Sequence, residues 1–287
     1  MIFNNTQEQS KEFYKKNGYV QYRINSNDFH SAIEKCFKYY SYEDMAKQNT
    51  AFRNKYDKPR HFIDIFRDPL SKAHDLYKDN QVIRIIKNQI SSNNRFIFTH
   101  SKMSFKQINS NGDWYPHQDH GYNFKKKTRD GFAIFICLED MDENNGCLQI
   151  YPKSHLLGPL DHKRHIEDVE SLDSQLFIKN MPDGFNPISI IAKKGDIIIF
   201  SPTTIHSSLS TKTKSKRLSL IAEIQEFKSI KLDDYGKVPI FAIGSIYNYE
   251  KFILAIKKFF NPYFYWHFLR KNKNISLYIR KILHKKD

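Results

Sequence analysis

The sequence predicts a mainly β protein with flanking helices, and three features point there. From about Arg95 to Phe227 the chain is a series of short runs rich in β-branched and aromatic residues: RFIFTHSKMSF, GFAIFICL, CLQIYP, ISIIA, DIIIF and RLSLIAEIQEF. Turn signals separate them, among them NSNG, DENNG, KSHLLG, MPDG and KKGD. Helix-like patterning is confined to the stretches before and after. Runs of this length and spacing fit an all-β sandwich or barrel core rather than βαβ units.

Taken in order, Thr6–Gln9 reads as a capping box, Phe13 and Tyr14 share one helix face, and Asn17-Gly18 supplies the stop. YVQYRI (19–24) is β-rich, and NSNDFHSAIEKCFKYY opens with capping residues and continues at helical spacing. Residues 41–94 are charged and read as helical or irregular, with Pro59 and Pro69 as breaks. The polar segment 156–187 reads as a long loop, a type that often carries function. After Phe227 the chain turns mixed, then helical and basic. The 287 residues are read as a single domain: 1–94 a mostly helical support, 95–228 the β core, and 229–287 a basic helical extension.

Composition narrows the function classes. The aromatic fraction of 15% argues for a packed globule rather than disorder. No apolar run approaches the roughly 18 residues of a membrane-spanning helix, and the amino terminus lacks the pattern of a secretory signal. Three widely spaced cysteines suit a reducing, cytoplasmic setting. From Lys251 to Asp287 there are ten Lys or Arg against one acid, which is +9 of the chain's net +15. The rest is only mildly basic, so no nucleic-acid partner is expected.

The chemistry concentrates in WYPHQDHGY (114–122). Residues two apart on a strand share a face, so His117 and Asp119 can aim an imidazole and a carboxylate at one point. His206, just after the apolar run DIIIF, is the best candidate for a third ligand. Two His and one carboxylate on one face of an octahedron form the facial triad of non-haem Fe(II) oxygenases, although zinc hydrolases also use such a set. Eleven residues further on, Arg217 and Ser219 share one face of the strand KRLSLI. An arginine on the pocket side of a barrel is costly to desolvate without an anion, and its fork suits a carboxylate. A dicarboxylic cosubstrate that chelates iron at one end and meets Arg217 at the other satisfies both features: 2-oxoglutarate.

With these residues the chain resembles the phytanoyl-CoA dioxygenase (PhyH)-like Fe(II)/2-oxoglutarate oxygenases over roughly residues 6–228. The likeness includes EFYKKNGYV, HQDHGY, the turn ENNGCLQIYPKSH (143–155), and KKGDIIIF leading to His206 and Arg217. It implies a double-stranded β-helix (a jelly-roll or cupin-like barrel) and iron ligation by His117, Asp119 and His206. It also implies that Arg217 holds the distal carboxylate of 2-oxoglutarate, with Ser208 near it, and that Lys102 or Met103 contacts the keto-acid end. With O2 as the other cosubstrate, such enzymes hydroxylate a C–H bond and release succinate and CO2. Related halogenases lack the carboxylate ligand, so Asp119 favours hydroxylation or desaturation. Where the family has Pro-Gly-Ser-His, this chain has Pro152-Lys153-Ser154-His155, a departure at a turn glycine.

His120, Tyr122 and His155 are candidates for the substrate side, each weighed against a packing or turn-capping role. Lys153, Arg129, His162 and Arg164 are read as solvated charges, and His165-Ile-Glu167 as a solvated pair rather than a rival metal site. The substrate is expected to be a small molecule or a lipid- or sugar-linked metabolite. The competing functions are a degenerate ligand-binding member of the same fold and a metal-dependent hydrolase on a cupin-like barrel. A nucleic-acid demethylating dioxygenase would carry an Arg-x-Asn-x-Thr-x-Arg run, which SSLSTKTKSKR lacks. In the tail, Ile275, Tyr278, Ile279 and Ile282 recur at helical spacing among basic residues. That fits either a helix packed on the barrel or peripheral docking on an anionic membrane.

Overall fold

One large sheet with a different apolar core on each face organises the molecule. In the computed structural model, which describes residues 1–4, 8–39, 51–53, 59–63, 73–89, 96–106, 114–123, 131–166, 174–213 and 217–226, fourteen strands and four α-helices are defined. The helices are α1 (Glu8–Asn17), α2 (Asn27–Tyr39), α3 (Ala73–Lys78) and α4 (Asn80–Gln89).

The larger sheet runs β1 (Ile2–Phe3), β2 (Tyr19–Tyr22), β12 (Ile197–Phe200), β7 (Gly131–Cys137), β14 (Arg217–Glu226), β5 (Phe96–Lys106), β4 (Pro59–Ile63), β3 (Ala51–Arg53). Opposite it lies the smaller sheet β11 (Ile188–Ser189), β8 (Leu148–Ile150), β13 (His206–Ser208), β6 (Trp114–His117). A hairpin of β9 (His162–Ile166) and β10 (Ser174–Ile178) lies beside β6, where the Tyr115 N–H reaches Gln175 Oε1 at 3.4 Å. Two facing, mostly antiparallel sheets of this order form the double-stranded β-helix that the sequence resemblance implies.

Period-two alternation divides the larger sheet's side chains between two cores. Val20, Tyr22, Ile134, Ile136, Ile197, Ile199, Leu218 and Leu220 pack outward with Phe29, Ile33, Leu76 and Ile86 of the helices. Tyr19, Ala133, Phe135, Cys137, Ile198 and Phe200 pack inward with Leu148 and Ile150 of the smaller sheet. A strand covered on both faces has no polar side to show, which is why GFAIFIC and IIIF are continuous apolar runs. On β5 and β14 the inward set is different in kind: Lys102, Ser104 and Lys106, and Arg217, Ser219 and Ile221.

Two regions depart from the sequence expectation. Residues 1–94, read as mostly helical with one β-rich run at 19–24, carry four described helices and also supply β1–β4 to the larger sheet. Pro59 is the first residue of β4, a place where its missing N–H is tolerated, so it begins a strand there. The segment 156–187 holds the β9–β10 hairpin and is not one long loop. Its alternation is hidden in HKRHI and SQLFI by polar side chains.

The connections are fastened at specific points. Gly18 (φ 79) ends α1 with its N–H on the Tyr14 carbonyl at 2.7 Å, and a Cβ there would collide with the His155 ring and Thr204 Oγ1. Arg23 makes a two-point contact with the buried Asp196 carboxylate, both at 2.8 Å, tying β2 to the KKGD turn. The residue expected to cap α1, Thr6, and the basic tail 251–287 lie outside the described residues. No helix among the described residues is long and apolar enough to cross a membrane.

At the family's missing glycine the backbone keeps the glycine conformation: Lys153 sits at φ 67, ψ −5, with its N–H on the Asn17 carbonyl at 2.9 Å. A side chain in the left-handed region costs energy that glycine avoids. Lys153→Gly should therefore raise stability by roughly 0.5–1 kcal/mol in a denaturant titration, net of glycine's greater freedom when unfolded. A drop in the midpoint would show that the lysine side chain stabilises the turn.

Candidate active site

The site begins with a register. β6 and β13 pair antiparallel with His206 directly opposite His117, at the end of β6 and the start of β13. The two imidazole centroids lie 4.2 Å apart. The chain then leaves β6 at Gln118, and Asp119 opens a 3-10 turn, Asp119–Asn123. Asp119 thus reaches the site from a turn and not from the same strand as His117. The expected convergence holds nevertheless. Asp119 Oδ1 is 4.0 Å from His117 Nε2 and 3.6 Å from His206 Nε2, and the three potential ligand atoms lie within 4.8 Å of one another.

Both imidazoles are oriented through their other nitrogen. His117 Nδ1–H donates to the Tyr115 carbonyl at 2.6 Å and His206 Nδ1–H to the Thr204 carbonyl at 3.0 Å. A carbonyl can only accept, so each ring presents the lone pair of Nε2 to the centre. Burial lowers the pKa of both: strongly for His117, where the His206 charge adds to the effect, and also for His206. Two neutral imidazoles and a carboxylate, all buried and with aligned lone pairs, fit a divalent ion such as Fe(II).

The same cleft, with an empty volume of about 400 Å³, contains Arg217. This residue is 2% exposed. Its Nη1 donates to the Gly146 carbonyl at 2.5 Å, its guanidinium lies 5.7 Å from the Phe135 ring centroid, and its Nε has no hydrogen-bond partner among the described residues. Burial lowers its pKa to about 10, which leaves it cationic at neutral pH. A buried cation with a donor left over is suited to an anionic ligand. Ser208 also lines the cleft. Gly146 has φ 74, and a Cβ there would collide with the Leu209 carbonyl, so only glycine lets the DENNG turn pack this closely on Leu209.

The remaining expectations sort as follows. Lys102 lines the cleft, with Nζ 5.0 Å from the Trp114 ring centroid. Met103 is fully buried in the outer core; adjacent strand residues face opposite ways, so it cannot reach the cosubstrate. His155 is away from the cleft: its Nε2–H donates to the Lys15 carbonyl at 2.9 Å, joining the 3-10 turn Ser154–Leu157 to the end of α1. His120 sits in the turn after Asp119, its N–H on the Pro202 carbonyl at 2.9 Å, and does not line the cleft. The side chains of Tyr122, Arg164 and His165, and residues Arg129 and Glu167, lie outside the described residues.

Two residues were undervalued in the sequence. His162 is not a solvated charge: its Nε2 accepts the Gln118 N–H at 3.0 Å and its Nδ1–H donates to the Leu160 carbonyl at 2.8 Å. Gln118, fully buried, donates through Nε2 to the carbonyls of Gly158 at 2.9 Å and Thr203 at 2.6 Å, and its Oε1 accepts the Leu160 N–H at 2.9 Å. It binds the loop before His206 to the loop carrying His117 and Asp119. The only signal was its place between two ligands in HQD.

Two outcomes follow from this geometry. Because the folded site resists protonation, the unfolded chain takes up protons first as pH falls. Metal-free protein should keep its stability above the ordinary imidazole pKa of about 6.5 and lose it below. Melting in chelator should show the loss, and His206→Gln should reduce it; a melting temperature flat from about pH 7.5 to 5.5 would contradict this. Gln118→Ala, read by competition with a chelating dye, should weaken metal binding by about 10–100-fold. Unchanged affinity would show that the two loops hold the ligands without it.

The chain is similar to known proteins in sequence and in fold. The family model for phytanoyl-CoA dioxygenase (PhyH) matches residues 28–219. The mouse peroxisomal phytanoyl-CoA dioxygenase is 29% identical over 113 residues, 36% of this chain; the match spans only 31% of the mouse protein's length. Among solved structures, the non-haem α-ketoglutarate-dependent carbocyclase SnoK from nogalamycin biosynthesis superposes with a TM-score of 0.61 at 14% identity, over 78% of this chain and 86% of that one. EctD from S. alaskensis, with 2-oxoglutarate and 5-hydroxyectoine, gives 0.61 at 14% identity, over 78% and 77%. The structural likeness is one of fold, while the family match covers well over half the chain and includes the positions of His117, Asp119 and His206. The chain belongs to the phytanoyl-CoA dioxygenase (PhyH) family.

Proposed function

We propose that this chain is an Fe(II)- and 2-oxoglutarate-dependent oxygenase that hydroxylates a C–H bond of a small molecule, with release of succinate and CO2. The observation that carries the reading is a single cleft holding both a buried His–Asp–His donor set and a buried arginine with an unsatisfied Nε. A diacid cosubstrate that meets the metal at one end needs a cation for its distal carboxylate, and a buried arginine in the same cleft supplies one. The relatives support it: a family defined by a dioxygenase, and a neighbour of the same fold described with 2-oxoglutarate.

When bound, iron, keto acid and O2 supply the oxidising chemistry, which is intrinsic to them. The chain's part is to bind, orient and exclude water. His117 and His206 offer Nε2, and Asp119 adds a carboxylate that lowers the net charge of the bound ion. Together the three side chains would hold the ion, and a three-ligand protein set would leave room for exogenous ligands. Arg217 receives the distal carboxylate of the cosubstrate in charge-assisted contact, with the Ser208 hydroxyl beside it. Phe135, Leu148 and Phe200 form apolar walls that limit water at the metal.

Arg217→Met should weaken 2-oxoglutarate binding by about tenfold or more, the loss of at least one charge-assisted bond, while iron affinity stays unchanged. Asp119→Ala should abolish substrate-stimulated succinate release. Calorimetry under anaerobic conditions and a succinate assay read the two. A wild-type protein that binds metal but not 2-oxoglutarate would overturn the reading in favour of a hydrolase or a ligand-binding protein.

A further inference from the structure

Of the three metal ligands, Asp119 alone does not lie on a strand, and a residue 43 positions further along the chain shapes the turn that carries it. The turn Asp119–Asn123 packs on the ring of His162, the first residue of β9. The ring's Nε2 accepts the N–H of Gln118, the residue just before Asp119, at 3.0 Å. Two residues after Asp119, Gly121 lies against the same ring: a Cβ there would meet its Cγ, Nδ1 and Cε1 at 2.8 Å. The Gly121 N–H closes the turn on the Gln118 carbonyl at 2.9 Å. Asp119 is therefore bracketed in the chain by two contacts with one imidazole.

That imidazole is itself fixed. Its Nδ1–H donates to the Leu160 carbonyl at 2.8 Å, and because a carbonyl only accepts, the lone pair of Nε2 is left for Gln118. The acceptor is needed where it stands. Among the described residues β6 is the last strand of the smaller sheet, so no further ladder satisfies its outer edge. The Tyr115 N–H, earlier on β6, is met in the same manner by Gln175 Oε1 from β10. The β9–β10 hairpin thus braces the ligand-bearing edge through side chains and not through backbone pairing. The Gln118 side chain is engaged elsewhere, with Gly158, Leu160 and Thr203, and leaves only its backbone N–H to His162.

We infer that His162 is a positioning residue for Asp119: it fixes the backbone on either side of that carboxylate, as hydrogen-bond acceptor and as packing surface, and so sets where the third ligand stands against the two imidazoles. The step rests on the reading of the triad as an iron site. His117 and His206 are oriented by their own carbonyl partners, those of Tyr115 and Thr204, and do not depend on His162 in this way. Loss of the acceptor, with the bulk of the ring retained, releases the carboxylate and leaves the imidazole pair in place.

The test is anaerobic Fe(II) binding by the full chain, read by competition with a chelating dye, in a double-mutant cycle with Asp119→Ala. His162→Phe should weaken Fe(II) binding by about tenfold or more when Asp119 is present, the scale of a lost outer-shell partner. In the Asp119→Ala background the same change should alter affinity by no more than about twofold, since the ligand through which it acts is gone. His162→Gln, whose amide oxygen can take the place of Nε2 as acceptor, should restore most of the affinity. Gly121→Ala, which crowds the ring from the turn, should show the same dependence on Asp119 and serves in place of a His162→Phe protein that does not fold. Equal losses in both backgrounds overturn the inference and make His162 a general support of the fold. So does unchanged affinity in His162→Phe, or a His162→Gln protein that binds no better than His162→Phe. Failure of the wild type to bind Fe(II) is a separate result and removes the underlying reading as well.

Discussion

The antiparallel pairing of β6 with β13 is the constraint on which the site depends. It sets His206 opposite His117, and backbone carbonyls two residues before each histidine fix both rings with Nε2 toward one point. A one-residue slip would turn one imidazole to the far side of the sheet. What holds the register is not the short ladder alone. Gln118 grips the carbonyls of Gly158 and Thr203, and the Ser154 hydroxyl, which accepts the Ile205 N–H at 2.8 Å, fixes the residue just before His206. The metal-ligand loops are therefore clamped by buried polar side chains at sites where a lost partner would be costly.

The larger sheet works as a partition. Among the described side chains its outward face meets the helices and is largely apolar, and most of its inward face meets the smaller sheet and is apolar too. Only at β5 and β14 does the inward face turn polar and cationic, with Lys102, Lys106 and Arg217 within two neighbouring strands. That concentration is unfavourable in an empty interior, and burial already lowers the Arg217 pKa. A pre-oriented, poorly hydrated guanidinium binds a carboxylate better than a solvated one does, which suits Arg217 to an anionic ligand.

The turn at Lys153 illustrates how a fold tolerates a departure from its family's sequence. The left-handed backbone is retained because both ends of the turn are tied down: the Lys153 N–H to Asn17, and the Ser154 hydroxyl to the Tyr151 carbonyl at 2.6 Å. The surrounding contacts outweigh the local preference of one exposed side chain. His155 owes its position to the same arrangement, which is why it serves as a brace for α1 and does not face the cleft.

Much was legible in the sequence where one side chain's character sufficed. The six apolar runs became β5, β7, β8, β11, β12 and β14, and β7 and β12 stand out most because burial on both faces leaves a continuous apolar run. HQD and the His206–Arg217 spacing were legible because metal and carboxylate chemistry admits few residue types. The short or polar strands β3, β4, β6, β9, β10 and β13 were not, since pairing with neighbours, and not their own composition, makes them strands. The sequence by itself determined the class of fold and picked out His117, Asp119, His206 and Arg217 as candidate site residues. Only the tertiary structure decided that Lys102 and not Met103 faces the cleft, that His155 and His162 act on backbone, and that Gln118 joins the two ligand loops. Which way a side chain points and what it meets depend on register and on segments distant in the chain, and neither is encoded locally.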